Sequence, residues 1–447
     1  MTKVNIIDTI YLLTEPIICG FSQHYVNGQN PSKTLAQNDG RLVLVNWIRG
    51  DFPILQKRIN GRYISYLDNA CTTLTPKPVI EKMDEYYMDY PACGGRSAHK
   101  LAARVSIECD TTREKIAKLL NARSAKEIVF TKNTTESINI VAKGYPLRKG
   151  DIVITTDKEH NSNIVPWHQA VETRSITHSI VYIGQDDNTT IENFKKAISR
   201  KVKLVSIHHV SNIDGTTLPV KDIIEISHDF GAKVLLDAAQ SVPHMPVDVG
   251  DIDPDFVAFS IHKMCGPGGV GVLYGKPDAL KWLKPLSPGG GSVAGTTYKS
   301  TGFLEPPMKF EGGIQNYVGI IGAGVAVDYV RRVGLDNIRE HEARLNRRLT
   351  ERLKSNPYVR IIGPSEPARR SGIYSFIVHG MMPHDVAMIL DETRNIMVRS
   401  GTLCAHSWFR AKKINGCVRA SMYFYNTPDE IDRFAAELSG ITRDFCR

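Results

Sequence analysis

The chain has 447 residues, 42% of them hydrophobic, and a formal net charge of +9. That apolar share supports a large core and argues against disorder, and at roughly 100–200 residues per domain the length suggests two or three domains. No apolar run approaches the roughly 18–20 residues of a membrane span, and the start, residues 1–13, lacks the cationic opening and clean apolar stretch of a signal peptide. The eight cysteines, Cys19, Cys71, Cys93, Cys109, Cys265, Cys404, Cys417 and Cys446, contain no Cys-x-x-Cys pair. Neither a zinc knuckle nor a disulfide framework is expected, and a reducing cytoplasm is the natural setting. The basic residues are spread out. A solvated face and a preference for anionic substrates are expected rather than direct nucleic-acid contact.

In chain order, residues 1–60 read as an N-terminal extension packing on the main body, with a short strand at 42–45 and a lead-in at 47–54. Residues 66–70 form a short strand running into a turn. Pro76 opens a helix to Tyr90, as proline in a first turn allows, and Pro91 stops it. Cys93 to His99 is a loop, and a long amphipathic helix spans 101–121. A regular alternation follows, with strands at 127–131, 150–155, 179–183, 202–208 and 233–236. The helices between and after them are at 133–143, 162–173, 190–199 and 220–230. This pattern predicts a mostly parallel sheet with crossover helices, an α/β architecture. Glycine-rich turns at 287–291 and 311–313 precede helices starting near 316 and at 335–354. Strands at 359–362 and 372–379 with helices at 384–392 and 428–439 suit a smaller α+β domain. The expected division is 1–60, a large α/β domain at 61–330 and a small domain at 331–447.

Ligands bind such sheets beyond the carboxyl ends of the strands, and polar residues stand there. Ser260-Ile261-His262-Lys263 lies between the apolar runs 256–259 and 270–274, with glycines that permit close backbone approach. Lys263 is either a solvated turn residue or an amine held in a cavity, able to form a Schiff base. Asp237 ends the strand 233–236 and suits either a helix cap or the partner of a cationic ring nitrogen. Thr134 and Thr135 open a helix, where hydroxyls and free N–H groups cap the helix or receive an anion. His160 follows another strand and is a surface histidine or a stacking group. Taken together these describe a pyridoxal phosphate pocket.

The chain resembles class V aminotransferase-fold enzymes, and within them the group II cysteine desulfurases and selenocysteine lyases. The matching stretches are 66–70 (YLDNA), 134–139 (TTESIN), 159–167 (EHNSNIVPW), 209–212 (HVSN), 237–241 (DAAQS), 260–263 (SIHK), 399–405 (RSGTLCA) and 419–421 (RAS). The resemblance covers about residues 60–440. It implies the fold type I architecture of pyridoxal 5′-phosphate enzymes, a homodimer, and L-cysteine as substrate with a sulfur-acceptor protein downstream. Lys263 would bind the cofactor and shuttle protons. Asp237 would keep the pyridine nitrogen protonated, and His160 would stack on the ring. Gln240 and Asn212 would contact the phenolic oxygen or the substrate. Thr134, Thr135, Ser260 and His262 would hold the phosphate. Arg419 would grip the substrate carboxylate, with Arg399, His99 and Asn212 as further substrate contacts. Cys404 would accept the sulfur as a persulfide, the alternative for it being an inert buried thiol. Three departures stand out: Ile314 replaces a threonine expected to reach the partner's phosphate, Thr402-Leu403 replaces histidines common in relatives, and Cys71 stands where a small residue is common. Competing expectations are a lyase for selenocysteine or another cysteine derivative, and a non-enzymatic scaffold or nucleic-acid-binding relative.

Overall fold

The strand–helix alternation folds into a seven-stranded sheet. The computed structural model describes residues 48–446, so the strand expected at 42–45 lies outside the described residues. The sheet comprises β1 (Ile128–Thr131), β2 (Ile152–Thr156), β3 (Thr177–Val181), β4 (Val202–His208), β5 (Lys233–Asp237), β6 (Phe256–Ser260) and β7 (Gly271–Gly275). Their order is β1-β7-β6-β5-β4-β2-β3. Strands β3, β2, β4, β5 and β6 pair in parallel, and β7 is antiparallel to both β6 and β1. All but β7 therefore point the same way, which is the mostly parallel sheet expected. Every residue of β6 and β7 is buried, as sheets covered on both faces require.

Helices α1 (Lys77–Asp89), α2 (Lys100–Leu119), α3 (Thr134–Gly144), α4 (Val165–Arg174), α5 (Asp187–Ala197) and α6 (Val220–Asp229) precede or cross the sheet. One core packs Ile138, Val141 and Trp167 from α3 and α4 against Val153, Leu204, Leu235 and Leu273 of the strands. After the sheet come an exposed hairpin of β8 (Val293–Thr296) and β9 (Thr301–Phe303), then the long helices α7 (Tyr317–Val333) and α8 (Leu335–Leu353). The C-terminal part is a four-stranded sheet of β10 (Val359–Ile362), β11 (Ile373–Val378), β12 (Arg399–Gly401) and β13 (Cys417–Ser421), ordered β10-β11-β13-β12. Helices α9 (Pro383–Arg394), α10 (His406–Ala411) and α11 (Pro428–Phe445) complete it. Its core joins Leu345 and Leu349 to Phe376, Val418, Phe434 and Leu438.

Residues 65–67, grouped by sequence with the large domain, form main-chain pairs with the C-terminal part. Ser65–Tyr66 runs parallel to Ile396–Met397, and Leu67 N–H donates to Met397 O at 2.9 Å. Farther upstream, Phe52 packs on Tyr425 with ring centroids 4.6 Å apart. The described residues belong to one compact unit. No helix among them is long and apolar enough to cross a membrane.

A close approach fixes the start of α3. A Cβ at Gly271 would lie 2.4 Å from Asn133 Cα and 2.6 Å from its carbonyl carbon, so β7 passes directly under the turn that opens the helix. Gly271→Ala is expected to push that turn aside and lower stability by about 1–3 kcal/mol, which thermal melting checks.

Candidate functional site

The carboxyl ends of β4, β5 and β6 open into a cavity of about 260 Å³. Lys263 closes the 3₁₀ turn Ile261–Lys263 directly after β6. The turn folds back tightly: Gly266 N–H donates to Ile261 O at 3.2 Å, and a Cβ on Gly266 would stand 2.2 Å from Ile261 Cγ2. The carbonyl of His262 accepts from Thr73 N–H at 2.9 Å and from the Thr72 and Thr73 hydroxyls at 3.1 Å each. Gln240 Nε2 donates to Ala70 O at 2.7 Å. The N-terminal turn is thus fastened to the lysine turn.

Burial pulls the Lys263 amine below its ordinary value; Asp237 opposes this and the Arg419 guanidinium reinforces it. Asp237 ends β5 and accepts from Ala239 N–H at 3.0 Å. Burial pushes its carboxyl up to about 6 against the pull of that N–H and of Lys263. His160 Nδ1 accepts from Ser162 N–H at 3.1 Å, which puts the ring proton of the neutral form on Nε2. Burial, with the charges of Lys263 and Arg419, holds His160 down at about 4. His262 is likewise held at about 4 by burial and Lys263. Both imidazoles are therefore neutral near pH 7.

At the start of α3, the cap is Asn133, whose Oδ1 accepts from Glu136 N–H at 2.9 Å. Thr134 and Thr135 are left to line the cavity. Ser260 Oγ accepts from Thr134 N–H at 2.8 Å and lies 2.6 Å from its hydroxyl, while Thr135 and Ser162 hydroxyls are 2.7 Å apart. Hydroxyls beside a helix N-terminus make an anion-binding corner.

Across the cavity, Arg399 on β12 and Arg419 on β13 are directly paired in register. Like charges opposite one another on neighbouring strands repel. Arg419 is buried, donates to Asn212 O at 3.0 Å and meets Asp68 at 3.2 Å. Its Nε has no partner among the described residues, nor does the buried Gln240 Oε1. An anionic ligand would relieve the repulsion and engage the free donor.

Cys404 is exposed and lies in the left-handed region with Leu403, at φ 54° and 50°. The flanking side chains do the anchoring. Leu403 and Ala405 are buried with Ile213, Trp408 and Phe409. The main chain is pinned as well: Asn212 Nδ2 donates to Leu403 O at 2.8 Å, and Asn161 N–H to Cys404 O at 2.7 Å. This alternation presents the thiol while fixing its backbone, so the inert buried thiol does not describe Cys404.

The cavity collects the sequence candidates Lys263, Cys404, His160, Thr134, Thr135, Asn212, Asp237, Gln240, Ser260, His262, Arg399 and Arg419. His99 is the exception. Its Nδ1 accepts from Ala102 N–H at 3.3 Å as the cap of α2, and it does not line this cavity. Sequence reasoning missed His208, which ends β4 in register with Asp237 and pairs through Nδ1 with buried Glu159 at 2.9 Å. Burial would lower His208, but Glu159 raises it above its ordinary value. The strand register beside Asp237 was the available signal. It also left Asp68 unassigned.

A family model for class-V aminotransferases matches residues 65–434. The chain belongs to the class-V aminotransferase family. Pyridoxal 5′-phosphate is the cofactor of this family. A probable cysteine desulfurase from Synechocystis sp. is 40% identical over 402 residues, covering 89% of this chain and 96% of that protein. Another from Methanothermobacter thermautotrophicus is 41% identical, covering 88% and 97%. Among solved structures, the apo cysteine desulfurase from Thermococcus onnurineus superposes with a TM-score of 0.84 at 37% identity, covering 89% of this chain and 98% of that one. The cysteine desulfurase CsdA from Escherichia coli, in an S-sulfonic acid form, gives 0.82 at 29%, covering 90% and 99%.

The buried Asp237 charge gives a test of the site's electrostatics. The carboxyl titrates near 6 in the fold against 3.8 ordinarily, so its stabilising contribution is complete below pH 3.8 and is lost as pH rises through 6. The loss amounts to about 3 kcal/mol. Cofactor-free Asp237→Asn is therefore expected to melt at a higher temperature than the parent at pH 7, with the difference vanishing near pH 4. Melting curves across that range check it.

Proposed function

We propose that this protein is a pyridoxal 5′-phosphate-dependent cysteine desulfurase that converts L-cysteine to L-alanine and takes the sulfur on Cys404 as a persulfide. The observation that carries the proposal is an exposed thiol on a pinned loop, lining the same cavity as a partly desolvated lysine. The names of the relatives, cysteine desulfurase or probable cysteine desulfurase, support it.

The residues present fit the cofactor. Thr134, Thr135, Ser260 and His262 would hold its phosphate at the start of α3, Asp237 would face its ring nitrogen, and His160 would cover the ring. Gln240 has an unpartnered amide oxygen and Nε2 capacity beyond its bond to Ala70, which suits the phenolic oxygen. Lys263 would supply the amine that binds the aldehyde; burial lowers its proton affinity, which favours the nucleophilic free amine. When bound, the cofactor supplies an electron-withdrawing ring that weakens bonds at the substrate's α-carbon. Ile314 is 75% exposed. The phosphate contacts named above come from other residues, so they do not depend on a hydroxyl at that position.

Arg419, with Arg399 opposite it, would orient the substrate carboxylate. Lys263 would then move protons between the substrate's carbons. The Cys404 sulfur would attack the substrate sulfur, its new S–S bond forming as the substrate C–S bond breaks. The displaced electron pair ends as a C–H bond of alanine. One cysteine and one thiol become one alanine and one persulfide, with no outside oxidant. A sulfur-acceptor protein would take the sulfur onward, and the working form would be a homodimer. The seven cysteines among the described residues are all free, in keeping with a reducing cytoplasm.

Lys263→Ala is expected to abolish the visible cofactor absorbance and to reduce alanine formation by about 10³-fold or more. Cys404→Ser should form no persulfide, as read by mass spectrometry after incubation with L-cysteine. If Cys404→Ser released sulfide from cysteine at the parental rate, a lyase acting without the thiol would replace this reading. Arg419→Lys should raise KM for cysteine by roughly tenfold or more, because an ammonium cannot reproduce the guanidinium fork. Steady-state kinetics measures it.

A further inference from the structure

The cavity holds a second thiol. Cys71 lines it together with Lys263 and Cys404. The two cysteines are mounted differently. Cys71 is partly buried in the turn whose N–H donates to Asp68 O at 3.1 Å. That turn is held on both sides, by Gln240 after β5 through Ala70 O and by the lysine turn through the bonds of Thr72 and Thr73 to the His262 carbonyl. Cys71 is therefore a fixed feature of the wall beside Lys263. Cys404 is exposed at the mouth, on the left-handed turn that presents it. Desulfuration itself requires the Cys404 sulfur to enter the space over Lys263, which is the space Cys71 lines.

Resting on the desulfurase reading, we infer that Cys71 is a second sulfur-carrying site, loaded from Cys404. The Cys71 thiolate attacks the outer sulfur of the Cys404 persulfide. The new bond joins Cys71 Sγ to that sulfur, the Cys404 Sγ–S bond breaks, and Cys404 leaves as a thiolate. One persulfide and one thiol become one thiol and one persulfide, so no oxidant or reductant enters. Exchange of this kind is the ordinary chemistry of a thiolate on a sulfur–sulfur bond. The transferred sulfur then rests on the half-buried cysteine, and Cys404 is free to take another.

The test incubates the cofactor-loaded full chain with L-cysteine and no acceptor or reductant, then quantifies alanine and maps added sulfur by peptide mass spectrometry. The expected result is sulfur on the Cys404 peptide first and on the Cys71 peptide later, with an alanine burst twice that of Cys71→Ala. Cys404→Ala should leave Cys71 unmodified. Sulfur confined to Cys404 in the parent overturns the inference while leaving the desulfurase reading intact; sulfur on Cys71 in Cys404→Ala overturns both the loading from Cys404 and the assignment of Cys404 as the required acceptor. Absence of alanine altogether overturns both. Mapping in the parent chain needs no variant, so the result does not depend on Cys71→Ala folding.

Discussion

Positive charge crowded into a small cavity is the constraint that organises this protein. Lys263, Arg399 and Arg419 share the space with Asp237 and, behind Arg419, Asp68. Burial is the main cause of the shifted proton affinities of Lys263, His160 and His262, and each charge acts on its neighbours more strongly than it would at the surface. The amine loses proton affinity, and two imidazoles, His160 and His262, stay neutral. A neutral histidine can lie against an aromatic ring or offer a single N–H without adding to the repulsion. The cavity as a whole favours ligands with several negative groups. The proposed phosphate and amino-acid carboxylate would meet that demand at opposite ends, one at the start of α3 and one between β12 and β13.

The fold serves this arrangement by dividing labour between rigid and presented parts. Strand ends and the turns locked to them place Lys263, Asp237, Thr134 and Ser260. The thiol proposed to reach the substrate is set apart, on a loop whose neighbours Leu403 and Ala405 are buried while Cys404 is exposed. A mobile loop would lose register with the substrate, and a fully buried thiol could not pass its sulfur on. The alternation of buried, exposed and buried side chains satisfies both needs.

Much of this was legible in the sequence for a physical reason. The central strands are covered on both faces, so they appear as continuous apolar runs, and the polar residues that end those runs are where parallel sheets bind ligands. Asp237 after Val234-Leu235-Leu236 is the clearest case. The hairpin β8–β9 was not legible because its residues are nearly all exposed and carry no buried stripe. Ser65–Tyr66 is too short to signal a partner that lies at Ile396–Met397. A histidine in a loop before a helix reads equally as a ligand contact and as a cap, and His99 caps α2 through Nδ1 outside the cavity. The Glu159–His208 pair was invisible because burial of two ionisable groups together depends on packing that no local pattern reveals.

The pairing of Ser65–Tyr66 with Ile396–Met397 has a bearing on biosynthesis. On the ribosome the turn carrying Asp68 and Cys71 emerges hundreds of residues before the strands that hold it, β12 and β13 among them. Asn69 Nδ2 donates to Ser421 O at 2.7 Å, and Ala70 N–H donates to the Ser421 hydroxyl at 2.9 Å, so that turn reaches its final position only once the last strand has been translated. Long-range closure of this kind is slow compared with local helix formation. The nascent chain therefore carries the hydroxyl corner of Thr134, Thr135 and Ser260 well before the paired arginines Arg399 and Arg419 that complete the cavity.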